Sequence, residues 1–60
     1  MTLTSEEREH VQDAVELEGF DYAFLHWLSP EDCKDTELRR LVKAYRAAAE
    51  ELAEYVGVEA

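Results

Sequence analysis

Glu18-Gly19-Phe20-Asp21-Tyr22-Ala23-Phe24-Leu25-His26-Trp27-Leu28 is the stretch on which the fold turns. Read as a strand, it alternates Phe20, Tyr22, Phe24, His26 and Leu28 with Asp21, Ala23, Leu25 and Trp27, and aromatic residues favour sheets. No other segment could pair with it, so a strand here would need a second chain to satisfy its ladder groups. Read as an unbroken continuation of an upstream helix, it would project Phe20, Phe24 and Trp27 on the same side as Glu6, Glu9, Asp13 and Glu16, leaving three large aromatic rings beside an acidic face. A break at Gly19 removes that conflict. Glycine tolerates the left-handed conformation that commonly ends helices, and Asp21 is placed to cap a new short helix over 22–28.

The flanking segments are helical by pattern. Upstream, Thr4 with Glu7 three residues later fits a capping box, and Glu6, Glu7 and Glu9 sit where the positive end of a helix dipole favours acids, so a helix is expected over about 5–18. Its apolar side is Val11, Ala14, Val15 and, at the edge, Leu17. Downstream, Ser29-Pro30-Glu31-Asp32 reads as a cap, a proline at a first helical position and two acids, which makes a single helical turn. Asp35 or Thr36 then caps a long helix over 36–56, whose apolar positions Leu38, Val42, Tyr45, Ala49, Leu52 and Val56 step by four and three. Gly57 ends it, with Val58 placed for the apolar contact that often follows such a cap. The expectation is an all-α domain spanning 1–60, a small antiparallel helical hairpin or three-helix fold, with the first and third helices as its body and the second as an aromatic plug over a small core.

Sixty residues form one domain at most, and a chain of that length buries only about 60% of its unfolded surface. Usual substrate pockets occupy roughly 300 Å³ or more, which a core this small cannot also surround, so an enzyme is not expected. The hydrophobic fraction of 47% is that of a folding chain, although the net charge is −9. Such a charge repels nucleic acid and anionic membranes and points to a basic partner. The single Cys33 makes no internal disulfide, no apolar run is long enough for a membrane span, and the start has no leader pattern, so a cytoplasmic, reduced setting is expected.

Chemistry-bearing residues are sparse. His10, His26 and Cys33 are the only soft ligands, and Glu7 with His10 shows one i, i+3 pair where carboxylate-bridged metal sites need two pairs and further glutamates. Neither a metal nor a cofactor is expected. Cys33 lies among Glu31, Asp32 and Asp35, which raise a thiol's pKa rather than activate it. Only two glycines occur, far apart, so no phosphate-cradling loop exists.

Charge placement carries more information. Residues 1–32 hold nine acids against one base, residues 33–60 six acids against five bases. Within the first helix, Glu6, Glu9, Asp13 and Glu16 follow spacings of three, four and three, which makes them like-charge neighbours on the face opposite the apolar one. Asp13 and Glu16 lie beyond the first turn, where the dipole no longer rewards them. The row spans about 15 Å of helix axis, and one DNA strand places about four phosphates over that length. Two readings stay open: a face shaped for a groove that normally holds a nucleic-acid backbone, and a face kept acidic for solubility. Asp21, Glu31 and Asp32 are secondary acidic candidates, and Tyr22 and Trp27 are candidate aromatic anchors if left exposed. A basic cluster, Arg39, Arg40, Lys43 and Arg46, is expected to pair with acids of the same fold such as Asp35 and Glu50; a phosphate-binding face is the alternative.

In size, charge and arrangement the chain resembles the small acidic proteins by which phages block bacterial defence systems, including anti-CRISPR proteins that imitate double-stranded DNA. The stretch Glu18-Gly19-Phe20-Asp21-Tyr22-Ala23-Phe24, with Leu38-Arg39-Arg40 and Tyr45-Arg46-Ala47-Ala48, also looks like small phage or prophage proteins. The resemblance implies a target: a DNA-binding surface of a CRISPR surveillance complex, of the Cascade type, in the cytoplasm of a bacterial host. The expected function is stoichiometric inhibition by a monomer that contacts neither nucleic acid nor membrane directly. The alternative is a self-associating helical adaptor, suggested by the heptad-like spacing of the third helix and by its alanines at 44, 47, 48 and 49.

Overall fold

The structure, a computed structural model, describes residues 3–58 and contains no strand among them. Helix α1 is Ser5–Glu18. Helix α2 opens as an α-helical turn, Phe20–Tyr22, and passes directly into a π-helical turn, Ala23–Trp27. A 3₁₀ turn, Pro30–Asp32, leads to α3, Thr36–Val56. The disputed stretch is therefore helical, as the break at Gly19 required.

Its ends differ from expectation. Helix α2 begins at Phe20 rather than Tyr22, with Gly19 in the capping position and no side-chain cap. Gly19 holds φ 90° and ψ 156°, outside the left-handed helical well, and this lets one residue separate two helices. Asp21, freed from capping, instead accepts a hydrogen bond from the Tyr45 hydroxyl at 2.9 Å. The other caps are as read: Thr4 accepts from the Glu7 N–H, Asp35 from the Leu38 N–H, and Gly57 ends α3 in the left-handed conformation. Only half of the capping box at Thr4 forms, because the Glu7 carboxylate is engaged elsewhere.

The expected body of helices one and three is not what the chain builds. No Cα of α1 comes within 8 Å of a Cα of α3; α2 packs against both and is the central element. The reason is side-chain size at the contacts. Ala14 of α1 and Ala23 of α2 are almost completely buried, so backbones approach closely at α2. Leu28, Pro30, Cys33, Asp35, Val42 and Ala53 complete the buried set, and burying Leu28 and Val42 stabilises the fold by about 1.5–3 kcal/mol each. At 38 × 24 × 13 Å the molecule is little more than one helix layer thick.

A layer that thin cannot enclose the aromatic plug. Phe20, Tyr22 and Trp27 are exposed and Phe24 is half-buried, the rings packing on one another across the surface. Phe20 lies 4.7 Å from Phe24 and 5.8 Å from Tyr45, in tilted and edge-on geometries that aromatic quadrupoles favour. Of the long helix's apolar positions, Val42 is buried, Leu38, Tyr45 and Ala49 are half-buried, and Leu52 and Val56 are exposed.

Candidate interaction surface

Glu6, Glu9, Asp13 and Glu16 are all exposed. Their outward direction follows from α1 itself: at roughly 100° per residue, burial of Ala14 with half-burial of Val11 and Val15 turns the 6-9-13-16 row away from α2. None of the four carboxylates receives a hydrogen bond or ion pair from another described residue. The single side-chain ion pair among the described residues joins Arg40 to Glu37, at 2.9 and 2.5 Å, on α3.

Within the basic cluster Arg40 pairs with an acid of the same fold, Glu37, as expected, but two other members are spent differently. Arg39 and Arg46 do not pair with Asp35 and Glu50; both turn inward to main-chain carbonyls. Arg39 donates through Nε to Pro30 O at 3.1 Å and through Nη2 to Cys33 O at 2.8 Å. Arg46 donates through Nε to Phe24 O at 2.8 Å and through Nη2 to Leu28 O. The π turn explains the second case. Leu28 N–H reaches back five residues to Ala23 O before the chain turns extended at Leu28, so the carbonyls beyond that point lie at a helix end, where the arginine fork meets them. The alternative of a phosphate-binding face thus loses two of its four cations to the fold.

Around the row, the structure gathers some secondary candidates and disperses others. Asp32 and Glu6 line one groove of about 210 Å³, together with His10 and Lys34, so Asp32 adds a carboxylate beside the start of α1. Trp27 stacks on His10 at 5.1 Å, which places an exposed indole along the edge of the row. Tyr22 instead stacks on His26 at 5.3 Å, and Asp21 is held by Tyr45. Glu31 accepts from the Ser29 hydroxyl at 2.7 Å, a bond that lowers its pKa below the usual carboxylate value, aided by the more distant charges of Lys43 and Arg46.

Glu7 is the residue that sequence reasoning assigned wrongly. Its carboxylate accepts the main-chain N–H groups of Lys34 at 2.8 Å and Asp35 at 3.1 Å, clamping α1 to the start of α3. Its half-buried position, one residue from the exposed Glu6, reflects its place on the inner side of α1. Beside it, Cys33 is buried, and its thiol pKa is pushed up by desolvation first and by the Glu7 charge second. No helix among the described residues is long and apolar enough to cross a membrane. Neither a known protein family, nor a curated protein, nor a solved structure matches the chain.

Proposed function

We propose that this chain is a stoichiometric protein inhibitor that presents Glu6, Glu9, Asp13 and Glu16 to a basic, DNA-binding surface in place of a DNA strand. The observation that carries this reading is that the row stays outward and unneutralised while Arg39, Arg40 and Arg46 are engaged elsewhere. Like-charge neighbours at these spacings weaken their own helix by roughly 0.2–0.5 kcal/mol per contact, and the fold gains nothing from Asp13 and Glu16, which lie past the turn where the dipole compensates. A lysine- or arginine-lined groove would gain. Four carboxylates over about 15 Å are close in number to the phosphates of one strand over that length, with Asp32 near Glu6 and Trp27 offering an aromatic anchor at the edge of the row.

Among basic DNA-binding surfaces, the duplex-docking site of a Cascade-type CRISPR surveillance complex is the target we infer, in the cytoplasm of a bacterial host infected by phage. Binding there blocks DNA by occupancy and needs neither catalysis nor cofactor. The test is competition: purified complex, labelled target duplex and increasing protein, at low and high salt. Displacement of the duplex that weakens as salt rises is expected. The triple change Glu9→Gln, Asp13→Asn, Glu16→Gln should abolish displacement while circular dichroism stays helical; full activity of that variant would dispose of the reading.

A further inference from the structure

One face of α3 is apolar over most of its length; α2 borders its first half, where Tyr45 meets Phe20 and Phe24, and leaves its second half uncovered. Leu41, Leu52, Tyr55 and Val56 are 50, 64, 90 and 58% exposed. At roughly 100° per residue, Leu38, Leu41, Tyr45, Ala48, Leu52 and Tyr55 form one stripe, with spacings of three, four, three, four and three. The first half of this stripe is concave and the second half protrudes. Leu38, Leu41, Val42 and Tyr45 join Phe20 and Phe24 around a groove of about 210 Å³ with no polar lining, whereas Leu52 and Tyr55 stand clear of the body.

We infer that two copies of this chain associate through α3, antiparallel about a two-fold axis near residues 46 and 47. In that register Leu52 of one copy lies on Leu41 of the other, Tyr55 on Leu38 and Tyr45 on Ala48, and symmetry repeats each layer. The protruding half of each helix fills the apolar groove of the other, which is the self-complementarity an isologous interface demands. A large ring over a small residue at Tyr45 and Ala48 lets the helices approach at the centre. The acidic excess does not prevent pairing, because it resides in residues 1–32 and the rest of the chain is nearly neutral. Pairing through α3 leaves the exposed row of α1 outside the interface, so each dimer carries two such rows.

The test is sedimentation of the full chain from roughly 1 to 100 µM, with two single variants chosen for equal offence to an apolar surface. Leu52→Asp should weaken the dimer at least about tenfold. Leu17→Asp, at an equally bare position on α1 that is 81% exposed, should leave it unchanged. Both sites are exposed, so both variants keep the helicity of the parent. Orientation is read by spin-label distances in a Cys33→Ala background, with labels at Ala47→Cys or Glu54→Cys. Antiparallel pairing separates the labels at 54 by about 20 Å more along the axis than those at 47. A monomer throughout the concentration range, a dimer indifferent to Leu52→Asp, or equal separations at the two label sites would each overturn the inference. Because the variants lie on α3 and those that test inhibition lie on α1, either proposal can fail alone.

Discussion

Glu7 and Asp35 are joined across the molecule: the Glu7 carboxylate accepts the Asp35 N–H at 3.1 Å, while its other oxygen takes the Lys34 N–H at 2.8 Å. Asp35 in turn caps α3, accepting the Leu38 N–H at 2.9 Å. The first turn of α1 thus fixes the residue that starts α3, although the backbones of those helices never approach each other closely. Hydrogen bonds to a charged acceptor outweigh neutral ones, and two main-chain donors lose their partner together if the carboxylate goes. Glu7→Ala should therefore cost about 2 kcal/mol and lower the thermal midpoint by roughly 10 °C. Glu6→Ala, one residue earlier and without a partner, should move it by no more than about 2 °C. Thermal melts followed by circular dichroism compare the two directly.

Arg46 carries the other long-range link. Its fork spans Phe24 O and Leu28 O, at the place where the π turn gives out. Arg46→Met leaves two carbonyls without their donor beneath a half-buried side chain, and a loss of about 2–3 kcal/mol is expected. Lysine restores charge but not the planar fork, so Arg46→Lys should recover less than half of that loss. Urea unfolding with an unchanged slope would confirm that the native state alone is affected.

These two residues also mark where the sequence stops being legible. The ends of α1 and α3 could be placed from Thr4, Asp35 and Gly57 because a cap is satisfied within four residues of itself. The break at Gly19 was forced by a clash of faces, again a local matter. What Glu7, Arg39 and Arg46 do was not legible, because each bonds to main-chain atoms far along the chain, and main-chain atoms carry no sequence signature. The exposure of Phe20 was not legible, and that of Tyr22 and Trp27 stayed open, for a related reason. A pattern assigns residues to faces, but whether a face is covered depends on how many layers the chain can build, and this one builds a slab 13 Å thick. Of the proposed surface, the outward set of Glu6, Glu9, Asp13 and Glu16 could be read from helical spacing alone. The added carboxylate of Asp32 and the Trp27 edge could not, since both depend on how the 3₁₀ turn and α2 fold back beside α1.

Cys33 gives a pH-dependent readout of the same junction. Desolvation raises its pKa, the Glu7 charge adds to the effect, and Arg39 opposes it. A thiol whose folded pKa is raised contributes stability that is fully present below the unfolded value of about 8.5 and is lost as pH rises through the folded value. Stability should accordingly decline above about pH 8.5 in the parent and decline less in Cys33→Ala. At about pH 8 the native thiol should react with a maleimide at least roughly tenfold more slowly than the urea-unfolded chain. Glu7→Ala should speed the native reaction by loosening the junction that buries Cys33.

The acidic row invites a test in which stability and binding move in opposite directions. Asp13 and Glu16 each have like-charged neighbours three or four residues away and lie past the turn where the dipole compensates. Asp13→Asn with Glu16→Gln should therefore raise the stability of the free protein by a few tenths of a kcal/mol at low salt. At about 1 M salt, where the screening length falls to roughly 3 Å, the advantage should vanish. A face kept acidic only for solubility would show that gain and nothing else. A face that docks on a basic groove should show the gain together with a loss of affinity, concentrated in a faster off-rate for buried pairs and a slower on-rate for peripheral ones. Glu50→Gln with Glu54→Gln removes the same charge from α3, outside the row; these acids are also i, i+4 neighbours, near the negative end of their helix dipole, so the pair should reproduce the stability gain of the row variants but not their loss of DNA competition. If both pairs of substitutions weakened competition equally, net charge rather than the ordered row would be the quantity the partner senses.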